Sequence, residues 1–286
     1  MNIKTTNTLT EEEKIEIKEL EKVCNKAENL ESEAFLSNEI NFNKNIPCFY
    51  LGYEENNLVA FLTTFMPDKN EAEITAFTHP DYRRKGCFKE LLEKSTEILR
   101  KSKVSNILLL IEVNSKSGKE VLKTFKDAKW VRSEYTLSNK NKVIVPVDKN
   151  LRLELVTKEN KDICLNLINE IFKMEEGDND NFIQNAIDAS DREAYIVYDN
   201  EVLIGTFNLN FKENKVFIYG LGIAPDYQKK GYGKKMLKHV LNIAFEKGDK
   251  AVLDVDSDNP SAYNLYIHNG FGIDFQIDYF GYSLFC

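Results

Sequence analysis

A seven-residue string occurs twice in this chain. Pro80-Asp-Tyr-Arg-Arg-Lys-Gly86 aligns with Pro225-Asp-Tyr-Gln-Lys-Lys-Gly231 at an offset of 145 residues, with five identities in seven. The same offset pairs Leu92 with Leu237 and Asn114 with Asn259. Each string follows a β-prone run and precedes apolar residues at helical spacing, so the surroundings repeat as well. The offset is about half of the 286 residues. A single repeat of that size is too few for a solenoid. The chain therefore reads as two copies of one domain, each of ordinary length. A hydrophobic content of 42% supports two packed cores rather than disorder.

Periodicity orders the elements. Thr10 followed by three glutamates predicts a capped helix running to about Asn25. Another amphipathic piece follows near Glu31 to Glu39. Strands are predicted at Cys48–Tyr53, Leu58–Phe65 and Ala72–Thr78, with a hairpin turn at Glu54 to Asn57. After the first string comes a helix carrying Phe88, Leu91, Leu92, Ser95 and Leu99 on one face. Ile107–Val113 is a continuous apolar run of the kind found in a buried central strand. The seam lies near residues 139–150, with Val143–Val147 as an edge strand closing copy one, since Pro146 suits an edge. The expected domains are 1–148 and 149–286. Copy two repeats the order: a strand at Leu151–Val156, helices at Asp162–Phe172 and Asn181–Ala189, strands at Ala194–Tyr198, Val202–Asn210 and Val216–Ile223, then the second string, a helix, and a strand at Ala251–Val255.

The second string carries the stronger chemical signal. Between Ile223 and Leu237 stand two glycines and four lysines. A glycine-containing turn between a strand and a helix exposes unpaired backbone N–H groups. Glycine lets an anion come close to them, and the helix dipole adds about 0.3–1 kcal/mol for a negative charge. The turn is a candidate diphosphate cradle. It is not a Walker loop, because no Ser or Thr follows the lysine at the required spacing. Nor is it a dinucleotide fingerprint, which needs a third glycine in another register.

Gln228-Lys-Lys-Gly-Tyr-Gly233 resembles the acyl-CoA-binding loop of the GNAT N-acetyltransferases. Asn259-Pro-Ser-Ala-Tyr-Asn-Leu-Tyr-Ile-His-Asn-Gly-Phe271 resembles the second signature of that family. It also reads as a short helix with an Asn cap, Pro260 in its first turn and Gly270 at its end. The resemblance implies an α/β fold of two tandem GNAT-like domains, each with a mixed, mostly antiparallel central sheet flanked by helices. It further implies that Leu221, Gly222 and Ile223 line a pantetheine arm, and that the amides around Gln228, Lys229, Lys230, Gly231, Tyr232, Gly233 and Lys234 wrap a pyrophosphate. Asn259 bonds the carrier, and Tyr266 stands near the thioester sulfur as general acid. The activity so implied is transfer of an acetyl group from acetyl-CoA to a primary amine of a small molecule or peptide. A non-catalytic acyl-CoA-binding or sensing protein is the alternative, and the Tyr266 hydroxyl separates the two.

Copy one departs from the pattern. Phe88 stands where copy two has Gly233. At constant offset Tyr266 pairs with Val121; aligning Trp130 with Phe271 pairs it with Phe125 instead, and neither has a hydroxyl. Copy one is thus expected to be degenerate and non-catalytic, with coenzyme binding at Arg83 to Lys89 an open question. No residue stands out as a general base; water, Asp254 and Asp256 are the candidates. The acidic run Glu175, Glu176, Asp178 and Asp180 is a candidate attractor for a cationic amine.

Composition excludes several classes. Net charge is −8, against general affinity for nucleic acid or anionic membrane. The five cysteines form no Cys-x-x-Cys pair and read as reduced thiols of a cytoplasmic protein without a metal site. No stretch reaches membrane-spanning length. The expected assembly is a monomer or homodimer.

Overall fold

The computed structural model describes residues 1–173 and 180–285. The strands are β1 (Asn2–Thr6), β2 (Phe49–Glu54), β3 (Asn57–Phe65), β4 (Glu71–Thr78), β5 (Asn106–Glu112), β6 (Lys129–Asn139), β7 (Leu151–Leu155), β8 (Arg192–Asp199), β9 (Val202–Lys212), β10 (Lys215–Ile223), β11 (Lys250–Asp256) and β12 (Gly272–Ser283). The helices are α1 (Glu11–Glu28), α2 (Cys87–Lys101), α3 (Lys116–Leu122), α4 (Lys161–Phe172), α5 (Asp180–Asp188), α6 (Tyr232–Lys247) and α7 (Pro260–Ile267). They form two compact units, Met1–Tyr135 with Phe275–Cys286, and Thr136–Asp274. These units differ from the halves 1–148 and 149–286: residues 136–148 go with the second, and the C-terminal segment from Phe275 goes with the first.

In the first unit the strand order is β1-β2-β3-β4-β5-β12-β6. The β4–β5 pair is parallel; β1–β2, β2–β3, β3–β4 and β5–β12 are antiparallel. Helix α1 starts on a reciprocal cap: Glu13 N–H donates to Thr10 Oγ1 at 3.2 Å, and Thr10 N–H donates to Glu13 Oε2 at 3.0 Å. Its Ile17, Leu20 and Cys24 join Leu91 and Leu99 of α2 in one core. The amphipathic run Glu31–Glu39 is not a helix. Carboxylates take its backbone donors instead: Glu31 and Ser32 N–H bond Glu112 Oε2 at 3.0 and 2.9 Å, and Ala34 N–H bonds Glu21 Oε2 at 2.8 Å.

In the second unit the order is β6-β11-β10-β9-β8-β7. Only β10–β11 is parallel among its described pairs. Helix faces follow from two neighbouring rungs. A Cβ on Gly222 would lie 2.5 Å from Ile171 of α4, whereas one on Gly205 would lie 3.4 Å from Met236 of α6. Gly205 pairs with Ile223, and Thr206 with Gly222, so the two glycines face opposite sides. Helix α4 therefore covers one face and α6 the other.

The expected edge strand Val143–Val147 is absent. Both backbone groups of Val145 bond the Asn242 side chain at 3.0 Å instead of a neighbouring strand. The strand is β6, whose polar sequence hid it. Its buried Ser133, Ser138 and Asn139 are satisfied by Asp278, Asp274 and the Asn269 carbonyl at 2.7, 2.8 and 3.1 Å.

The repeat is geometric as well as sequential. Arg84 and Lys229 have φ of 61° and 59°, Gly86 and Gly231 φ of 92° and 85°, each pair 145 residues apart. Register irregularities at Gly52/Tyr53 and Val197/Tyr198 keep the same offset.

Candidate active site

In the second unit β10 and β11 pair at Lys215–Lys250, Val216–Ala251 and Phe217–Val252, and no farther among the described residues. Beyond Phe217 no further rung joins the two strands among the described residues. On its other edge β10 slips register against β9: Tyr219 faces Asn208, and Gly222 faces Thr206. Two residues, Gly220 and Leu221, thus oppose one, Phe207, which is a β-bulge. Gly220 takes φ 57°, and a Cβ there would lie 2.5 Å from Asn208 Nδ2, so both conformation and space call for glycine. The corresponding β3–β4 pair of the first unit runs without a slip.

From Ile223 the chain passes through a single 3-10 turn, Pro225–Tyr227, into the basic loop. Gln228 Nε2 donates to the Ile223 carbonyl at 3.0 Å, so this signature side chain shapes the turn. Lys229 and Gly231 both sit in the left-handed region, which turns successive N–H groups toward one side. Gly231 caps α6 without a side-chain bond, and the first return bond is Lys235 N–H to the Gly231 carbonyl at 3.3 Å. The N–H groups of Tyr232, Gly233 and Lys234 are consequently open. Tyr232 donates its hydroxyl to Asp199 Oδ2 at 2.5 Å, and Lys235 Nζ lies 2.8 Å from Asp148 Oδ2. These contacts brace the loop. Lys229, Lys230 and Lys234 are exposed and have no ion-pair partner among the described residues.

The second signature lies against the first. A Cβ on Gly233 would stand 3.4 Å from Leu265 Cδ2 of α7, at van der Waals contact, so the start of α6 adjoins α7 here. Asn259 caps α7 by accepting the Ala262 N–H at 3.1 Å. Tyr266 is 7% exposed and packs its ring 5.6 Å from Phe271. Burial pushes its phenol up to about 12. Of the two candidate bases, Asp254 is exposed and accepts the Thr136 hydroxyl at 2.6 Å. Asp256 accepts the Asp258 N–H at 3.2 Å and so shapes the turn into α7. Of the acidic run, Glu175, Glu176 and Asp178 lie outside the described residues, and only the backbone of Asp180 is described, in the first turn of α5.

The first unit has its own cleft, a cavity of about 660 Å3 lined by Ile74, Phe77, Arg84, Phe88, Leu109 and Val121, among others. There β4 and β5 pair only from Glu71–Asn106 to Ile74–Leu109. An internal carboxylate crosses it. Glu28 accepts the Lys116 and Ser117 N–H groups at 2.7 and 3.0 Å and pairs with Arg83. The cap of α3 is Ser115, whose Oγ accepts the Gly118 N–H at 3.0 Å. The counterpart of Asn259 is therefore Ser115 rather than Asn114, because each is the cap that accepts the N3 amide. Counted from the caps, Tyr266 falls on Leu122, neither Val121 nor Phe125, and the first unit still lacks the hydroxyl.

Sequence reading missed the bulge and Asn208. The available signal was Gly220-Leu-Gly222 inside an otherwise apolar and aromatic strand.

A model of the acetyltransferase (GNAT) family matches residues 14–123 and again residues 162–271. The chain belongs to that family, and its class is that of the acyltransferases. Over 101 residues it is 33% identical to N-alpha-acetyltransferase 50 of Danio rerio, an alignment covering 33% of this chain and 60% of that protein. The chain thus spans less than two thirds of this relative's length. Among solved structures it resembles a GCN5-related N-acetyltransferase from Sphaerobacter thermophilus, at a TM-score of 0.78 and 14% identity over 99% of this chain and 96% of that one. It also resembles a tandem GNAT protein from the clavulanic acid biosynthesis pathway, at 0.72 and 12% over 99% of both chains. At such identities the likeness concerns the fold, two GNAT domains in tandem. Among the described residues no helix is long and apolar enough to cross a membrane, and no group of three or more His, Cys, Asp or Glu is arranged to hold a metal ion.

Proposed function

We propose that the second unit transfers an acetyl group from acetyl-CoA to a primary amine of a small molecule or peptide, in the cytoplasm. One observation carries this reading: an uncapped, left-handed basic turn follows a strand that parts from its parallel neighbour after three rungs. The parts fit a nucleotide-thiol carrier. The open amides of Tyr232, Gly233 and Lys234, with Lys229 and Lys230, suit a diphosphate. The edge of β10 at Leu221 to Ile223, beyond the last rung with β11, suits the amides of an extended arm. Asn259 lies at the head of α7, where such an arm would pass.

Acetyl-CoA, when bound, supplies the acyl group and a thiolate leaving group. Tyr266 holds a proton on its hydroxyl at every ordinary pH, because burial keeps the phenol neutral. Such a group can donate to a departing sulfur, and acid catalysis of this kind is worth about 10²–10⁴-fold. A main-chain N–H freed by the Gly220–Leu221 bulge can polarise the acyl carbonyl. The first unit, with Leu122 at the tyrosine position and an unslipped β3–β4 pair, is assigned no chemistry.

The test is release of free thiol from acetyl-CoA with a panel of amines, beside calorimetry of coenzyme A binding. Tyr266→Phe should cut turnover about 10²-fold or more while leaving the coenzyme dissociation constant within about twofold. Equal loss of binding and turnover would remove the role given to the hydroxyl. Binding without any amine-dependent thiol release would favour a sensing protein.

A further inference from the structure

We infer that Asn208, Asn210 and Arg192 form the acceptor's docking strip, and that the acceptor end they fit is α-amino-acyl: a primary amine with a carbonyl or carboxylate oxygen on the adjoining carbon. The inference deepens the acetyl-transfer reading and rests on it for the acyl donor.

The starting observation is an unmet set of hydrogen bonds. In the second unit three buried side-chain atoms have no partner among the described residues: Asn208 Oδ1, Asn210 Oδ1 and Arg192 Nε. They are neighbours. Arg192 pairs with Asn210 across β8–β9, and Ala194 pairs with Asn208 one rung on. Across β9–β10, Asn210 faces Phe217 and Asn208 faces Tyr219. Strand alternation puts all of these side chains on one face, with the two asparagines about 7 Å apart along β9. It is the face covered by α4, because Thr206, two residues on, shares its rung with Gly222 beneath Ile171.

The orientation of Asn208 is set by its surroundings. Its Nδ2 donates to the Tyr219 carbonyl at 3.3 Å, which leaves Oδ1 as the free end. The residue is 0% exposed, and its amide lies on Gly220, where a Cβ would collide. A chain that gives up a side chain and takes a left-handed turn to seat this amide holds it firmly in place. Unpaired buried acceptors are rare because burial strips them of water without return. Three together, on the two same-face rungs next to the bulge, are better explained by a ligand that completes them than by packing.

What completes them follows from their chemistry. Two carbonyl oxygens require N–H donors, which a primary amine has. The guanidinium N–H requires an oxygen, which a simple alkylamine lacks and an α-amino acid or peptide N-terminus carries. Asp191 lies 4.0 Å from Arg192 Nε and offsets part of its charge. The strip opens at Arg192, whose side chain is 37% exposed, and closes at Asn208. The amine would therefore lie at the closed end, against the bulge, with its chain leading out past Arg192.

The test compares trialanine with propylamine, in calorimetry with the protein alone and in steady-state acetylation. Trialanine should bind and be acetylated in preference to propylamine. Asn208→Leu should raise KM for trialanine about tenfold or more while KM for acetyl-CoA stays within about twofold. Arg192→Met should erase the preference for trialanine over propylamine. Asn210→Leu, at the partly exposed rung, is the second variant should Asn208→Leu not fold, and should raise the same KM. Equal handling of the two amines by the wild type would overturn the inference. So would variants that leave the amine KM unchanged, since the atoms would then be satisfied by buried water. If the acetyl-transfer reading alone fails, trialanine still binds and the binding still weakens in Asn208→Leu; if the strip is wrong, thiol release persists but the calorimetric preference is absent.

Discussion

Tyr266 differs from an ordinary tyrosine in being buried, and the difference has a sign. Its phenol titrates near 12 rather than 10, so it is protonated throughout the range in which an amine loses its own proton. The profile of kcat/KM against pH should therefore rise with amine deprotonation and show no alkaline fall from this residue up to about pH 10. Tyr266→Phe should lower the plateau without moving the rising limb; a limb that moves with the substitution would mean that the phenol itself titrates there. Glu28 carries the opposite sign. Burial alone would raise its carboxyl, but the Ser117 and Lys116 amides and Arg83 outweigh burial and hold it below the usual range. Its contribution to stability is then complete above the unfolded carboxylate range and disappears as pH falls through the lowered folded value. Glu28→Gln should destabilise the first unit by about 1.5–3 kcal/mol at neutral pH, and the gap to wild type should close on acidification. Trp130, the one tryptophan, lies in that unit and reports its urea unfolding.

At the level of elements, the basic turn is set by two residues that can take a positive φ. Gly231→Ala would meet no atom within 4 Å, so its penalty is conformational only. At φ 85° that penalty is about 1–2 kcal/mol. Coenzyme A affinity should fall with it, as the turn relaxes and its amides turn away; unchanged affinity in calorimetry would detach the loop from the diphosphate. This turn was legible in the sequence because glycine spacing encodes backbone sign. The helices and central strands were legible because their burial follows their periodicity. Strands β6 and β12 were not, since the buried serines of β6 are paired with Asp278 and Asp274 of β12, far along the chain. The Asn114–Asn259 equivalence failed for a related reason: a one-residue shift in the loop before α3 moved the cap to Ser115, and repeat spacing does not reveal such a shift. The bulge was half visible as two glycines in a strand, but the asparagine seated on it needed three-dimensional neighbours to acquire meaning.

At the level of the whole molecule, the first unit is closed by residues that follow the entire second unit in sequence. Strand β12 pairs with β5 through seven rungs, from Ile277–Glu112 to Ser283–Asn106. Leu284 then enters the core of that unit, and its carbonyl accepts Arg100 Nε at 3.0 Å. A chain ending at Asp274 should therefore lose the cooperative unfolding of Trp130 while amide protection persists in β8 to β11. Retention of both would mean that β5 finds another cover. The arrangement also bears on birth at the ribosome. Domains commonly fold in order as they emerge. Here the first unit must wait, with β5 bare along one side, until everything from Thr136 to Asp274 has been translated and β12 arrives. An open strand edge is a template for pairing with strangers. Slow elongation between Thr136 and Asp274 should therefore yield aggregates nucleated by the first unit, and holding chaperones should be needed until β12 has been made.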